Sequence, residues 1–75
     1  MSDFGEKVLS ALTGEWRTTK QIADSIPLEG RTPEDHDQLT RHHLSSLHRY
    51  GMAERRRVDA PYRWVYEWRL AEVSA

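Results

Sequence analysis

The chain has 75 residues, which bounds it to one domain, 1–75, with a small core. It has no cysteine, which excludes a disulfide framework and a thiolate zinc site. Its net charge of −1 argues against nucleic-acid binding by bulk charge, yet residues 1–40 hold four Lys/Arg against eight Asp/Glu, while residues 41–69 hold seven Arg against three Asp/Glu.

The basic half is built entirely from arginine, whose planar fork suits phosphates and guanine better than the point charge of lysine does. No apolar run reaches the ~18 residues of a membrane span, and no signal-peptide pattern opens the chain, so a cytoplasmic location is expected. Three Trp, three Tyr and one Phe supply the large apolar areas that must stabilise so small a domain.

A first helix is predicted from about Asp3 to Thr13. Ser2 is its expected cap, and Asp3 and Glu6 lie in the first turn, where the macrodipole favours acids. Phe4, Val8, Ala11 and Leu12 recur at helical spacing and form its apolar face. Gly14 fits the stop.

Trp16 is flanked by charge. Glu15 to Arg17 reads either as a short edge strand or as an extended anchor that sets the indole on the core. Thr18-Thr19-Lys20-Gln21 has the capping-box form, and a second helix follows to about Ile26, burying Ile22, Ala23 and Ile26. Pro27 stops it. Residues 27–32 form a loop longer than a tight helix-turn-helix turn.

Thr32-Pro33-Glu34-Asp35 restarts a helix, with threonine as cap, proline at the first position and acids in the first turn; Asp37 is an alternative start. At 100° per residue, Leu39, His43, Leu47 and Tyr50 share one flank, widened by Thr40 and Leu44. Gln38, Arg41, His42, Ser45 and Arg49 take the opposite face. Gly51 ends the helix in the left-handed conformation.

Met52 to Val58 reads as a strand, Asp59 to Tyr62 as a loop and Arg63 to Leu70 as the return strand. Tyr62, Trp64, Tyr66, Trp68 and Leu70 alternate onto one face, with Arg63, Glu67 and Arg69 on the other and Val65 the exception. Such a hairpin is marginal alone and must pack its aromatic face on the helices. The core is expected over about residues 4–70, with a frayed tail at 71–75.

Three stretches carry a resemblance. Thr18 to Ala23 is similar to the capped second helix of the winged helix-turn-helix superfamily. Leu44 to Met52 is similar to the end of that family's recognition helix, with two leucines three apart followed by glycine and an aliphatic residue. Tyr66 to Leu70 resembles the strand that closes the wing. The pattern looks closest to regulators of the multiple-antibiotic-resistance and arsenic-repressor types.

The resemblance implies an α+β fold: three helices, then a two-stranded hairpin wing, with an optional short third strand at Trp16. It also implies binding of double-stranded DNA by a small prokaryotic, archaeal or viral transcriptional regulator. Gln38, Arg41, His42, Ser45 and Arg49 would then face the major groove, and Arg55, Arg56, Arg57 and Arg63 the backbone. Those regulators carry further helices that this chain does not match, so no effector pocket or metal-sensing site carries over.

Other readings stand beside this one. The arginines can simply keep the sheet soluble. The fold also serves as a protein-interaction module, and Tyr62 and Trp64 near the hairpin tip suit such a role. A monomer or weak homodimer is expected. His36, His42, His43 and His48 lack the spacing of a helical zinc pair, so neither metal nor cofactor is expected. No phosphate loop or nucleophile motif points to an enzyme, and Ser45 and Ser46 beside histidines do not make a triad.

Overall fold

The structure, a computed structural model, describes residues 3–71. The expected Ser2 cap and the tail from residue 72 onward lie outside the described residues. The fold is α+β. Three helices pack on one face of a three-stranded antiparallel sheet, in the order α1 (Asp3–Ala11), β1 (Arg17–Thr18), α2 (Thr19–Asp24), α3 (Pro33–Arg49), β2 (Ala53–Asp59) and β3 (Trp64–Leu70). The strands lie in the order β1-β3-β2. No helix among the described residues is long and apolar enough to cross a membrane.

The helix starts form where their caps dictate. At α2 the Thr18 amide donates to Gln21 Oε1 at 2.9 Å while the Gln21 amide donates to Thr18 Oγ1 at 3.1 Å, a closed capping box. At α3 Thr32 Oγ1 accepts from the Asp35 amide at 3.2 Å, with Pro33 as the first helical residue. Gly51 stands at φ 78°. Its amide donates to the His48 carbonyl at 3.0 Å and that of Met52 to the Leu47 carbonyl at 2.9 Å. These two bonds are the Schellman arrangement that satisfies the last carbonyls of a helix. Met52 is used up by this turn, so β2 begins one residue later than its composition suggests.

Phe4, Val8 and Leu12 line the buried side of α1 and meet Ile22, Ile26, Leu44, Leu47, Ala53 and Trp68 in one core. Trp68 is fully buried, and its indole N–H donates to Thr19 Oγ1 at 2.9 Å, so its polar edge is satisfied. The buried stripe of α3 runs through His36, Thr40, Leu44 and Leu47, with Leu39 and His43 half-buried beside it. Tyr50, expected on the apolar flank, is 77% exposed. The stripe is centred nearer α2 than the wheel suggested, because α3 packs against α2 as well as α1.

Arg31 anchors the loop between α2 and α3. Its guanidinium lies 4.6 Å from the Phe4 ring, donates to the Pro27 carbonyl at 3.0 Å and donates through Nε to His36 Nδ1 at 3.2 Å. An arginine can only donate, so His36 Nδ1 accepts, and Nε2 carries the proton given to the Ala23 carbonyl at 2.8 Å. The buried imidazole therefore ties α3 to α2. Lys7 bonds Glu29 in the same loop and holds its carboxyl below the ordinary range, first by that hydrogen bond and then by its charge.

Candidate nucleic-acid interface

Antiparallel register decides which hairpin side chains share a face. Arg55 pairs with Trp68, Arg57 with Tyr66 and Asp59 with Trp64. Directly opposed residues lie on one face of the sheet. Arg55, Arg57 and Asp59 therefore share the face whose Trp68 end closes the core. Arg56 pairs with Glu67 and Glu54 with Arg69, on the other face.

On the face that meets the helices, the aromatic row leaves the core step by step. Trp68 is buried, Tyr66 half-buried and Trp64 45% exposed, while Tyr62, expected to start this row, lies in the bend before β3 and is 99% exposed. Trp68 and Tyr66 meet edge to face at 5.8 Å between centroids, and Tyr66 and Trp64 at 4.8 Å. The Arg55 guanidinium lies 4.4 Å from the Tyr66 centroid and that of Arg57 4.8 Å from Trp64. Asp59 is 3.4 Å from Arg57.

An open groove of about 470 Å³ separates this part of β3 from the helices. Arg41 and Asp37 of α3 and Lys20 of α2 form one wall, and Arg63, Trp64 and Tyr66 the other. Thr18 and Thr19 also line it. Three cations thus face a groove that holds one acid. Among the described residues no ion pair involves Arg41, Arg49, Arg55 or Arg63.

The nine residues predicted from the sequence separate into three groups. Gln38, Arg41, His42, Ser45 and Arg49 are exposed on α3, and of these Arg41 enters the groove. Arg63 joins Arg41 there, and Arg55 and Arg57 adjoin it on the same sheet face. Arg56 stands apart. Its Nε donates to Glu67 Oε1 at 2.7 Å, and its guanidinium lies 4.5 Å from the Trp16 ring.

Arg69 lies 4.4 Å from the same indole and bonds Glu54 at 3.1 Å. Trp16 is therefore held by two arginines on the outer face, and it is not part of the core cluster. The edge-strand reading of this stretch fits, with the strand at Arg17–Thr18, and the core-anchor reading does not. Alternation explains it: Thr18 is in register with Glu67 on the outer face, and Trp16, two residues back, follows it.

Sequence reasoning missed Lys20. Its signal was present, since the residue two after a capping threonine projects outward from the first turn. The stacking of Arg55 and Arg57 on aromatic rings was not foreseen either, because it depends on register.

His43 packs against Phe4 at 5.3 Å between centroids, and partial burial holds its pKa below the ordinary 6.5, aided by the neighbouring charge of His42. Among the described residues no group of His, Asp and Glu is arranged to hold a metal ion. No family model, curated protein or solved structure matches the chain.

Proposed function

We propose that the chain is a winged helix-turn-helix domain that binds double-stranded DNA in a cytoplasmic, prokaryotic regulator of transcription. In this reading α2 and α3 are the helix-turn-helix and the β2–β3 hairpin is the wing. The observation that carries it is the groove in which Arg41 of α3, Lys20 of α2 and Arg63 of the hairpin converge with a single acid, Asp37. Cations from three separate elements on one surface match a polyanion that spans them.

The roles follow from chemistry. Arg41, Gln38, His42, Ser45 and Arg49 are exposed on a helix of 17 residues, wide enough in reach to enter a major groove. Arg and Gln there make the bidentate contacts to guanine and adenine that discriminate sequence. Lys20, Arg55, Arg57 and Arg63 contact phosphates, which sets orientation and affinity. The domain acts by binding and not by catalysis.

A second reading is a protein-interaction module of the same fold. It is favoured by the apolar side chains left on the surface away from the groove, Tyr50, Met52 and Leu70. Titrating the chain with random-sequence duplex at low salt separates the two. Binding that fades as salt rises supports the first, and no binding at any salt supports the second.

A further inference from the structure

We propose that the tip of the hairpin, where Tyr62 and Trp64 are exposed, is a stacking platform for unpaired bases, so that the domain prefers duplex DNA opening into a single strand over blunt duplex. This deepens the DNA-binding reading and rests on it.

The core closes on Trp68, which is fully buried. Tyr66 packs against that core, and the two aromatic residues beyond Tyr66, Trp64 and Tyr62, are outside it. Tyr62 is 99% exposed and Trp64 45% exposed, so both rings present surface to solvent. Trp64 continues a row that starts inside the protein, in which Trp68, Tyr66 and Trp64 meet edge to face at 5.8 and 4.8 Å, and Tyr62 stands two residues before it in the bend at the hairpin tip. The buried end holds the row rigid, and the open end offers π-faces.

Cations line the same row. Arg55 lies 4.4 Å from Tyr66 and Arg57 4.8 Å from Trp64. Asp59 offsets Arg57 at 3.4 Å, while no ion pair involves Arg55 among the described residues. Alongside run Lys20, Arg41 and Arg63. Aromatic faces for bases, interleaved with cations for phosphates, are the two requirements for holding a single strand without reading its sequence. The guanidinium planes can themselves stack on bases.

Along a duplex these rings find no free base face, because interior bases are stacked on each other and show only their edges in the grooves, and a blunt end offers just its terminal pair. A protein partner could cover aromatic rings as well. The excess of cations over acids around them favours a polyanion.

The test uses the full chain and two labelled DNAs, a blunt 20-base-pair duplex and the same duplex with a ten-nucleotide thymidine tail. The parent is expected to bind the tailed DNA about tenfold more tightly at equal salt. Tyr62→Ala should reduce that ratio several-fold and leave blunt-duplex affinity unchanged, and Tyr62→Phe, which keeps the ring, should retain it. Trp64→Ala should bring the ratio close to one. Equal affinity for the two DNAs, or a tail preference that survives both alanine variants, overturns the proposal and leaves the duplex reading standing. Failure to bind either DNA overturns both and assigns the aromatic tip to a protein partner.

Discussion

Arg56 and Arg57 are neighbours in the chain and occupy opposite faces of the sheet. Arg56 is bound to Glu67 at 2.7 Å and lies over Trp16, whereas Arg57 lies over Trp64 on the face that adjoins the groove. Arg56 is therefore committed to the outer face, whereas Arg57, although 3.4 Å from Asp59, stands on the groove side. Arg56→Ala should leave DNA affinity within about twofold and cost up to about 1 kcal/mol of stability, the range of an exposed ion pair. Arg57→Ala should weaken binding to every sequence alike and lower the salt slope by about one unit. Equal effects of the two variants on binding would remove the assignment of faces.

Arg41 should fail differently. It is exposed on α3 and also enters the groove. Arg41→Ala should cost about 1–3 kcal/mol on a preferred site and relax specificity at one position. Selection of bound sequences from a random pool, with parent and variant in parallel, measures this. Identical selected sites would show that Arg41 reads no base.

The inward stripe of α3 can be tested by a pair of variants one helical turn apart. Leu47 belongs to the core and Tyr50 is 77% exposed. Leu47→Ala should destabilise by about 2–5 kcal/mol, enough to unfold much of so small a domain. Tyr50→Ala should change stability by no more than about 0.5 kcal/mol. Denaturant unfolding of both decides, and a large loss at Tyr50 would contradict the observed packing.

The helix starts and stops were legible from the sequence because their signals are local. Thr18 with Gln21, Thr32 with Pro33, and Gly51 each act within a few residues, and each marks a boundary close to the observed one. The aromatic alternation of β3 was equally legible, since period two needs no knowledge of the partner strand. What was not legible depends on contacts distant in the chain. His36 is buried because Ala23 and Arg31 satisfy both its nitrogens, and no periodicity gives a histidine that place. Arg56 is committed to Glu67 only once the hairpin register is known. Trp16 leaves the core because Arg17 and Thr18 pair with Trp68 and Glu67. Of the candidate site, the exposed face of α3 could be read from the sequence, but the convergence of Lys20, Arg41 and Arg63 could not.

His43 carries a pH dependence whose sign is fixed. Burial against Phe4, and then the charge of His42, hold its pKa below 6.5, so the folded state favours the neutral ring. The unfolded chain binds more protons in that window, and stability rises with pH there. The contribution is complete above about pH 6.5 and is lost as pH falls through the folded value. Thermal melts from pH 7.5 to 5.5 should show the midpoint falling with acid in the parent and falling less in His43→Leu. Parallel curves for the two would show that His43 is not the group responsible.

The most direct test of the DNA-binding account is the slope of log binding constant against log salt for a duplex, measured on the parent and on the Lys20→Ala, Arg41→Ala, Arg63→Ala triple variant. Each phosphate neutralised contributes about −0.9 to the slope on B-form DNA. With Lys20, Arg55, Arg57 and Arg63 on phosphates the parent should give a slope of about −4, and the triple variant one shallower by about two units. Undetectable binding of the parent at low salt, or an unchanged slope in the variant, would contradict the groove as the DNA-binding surface.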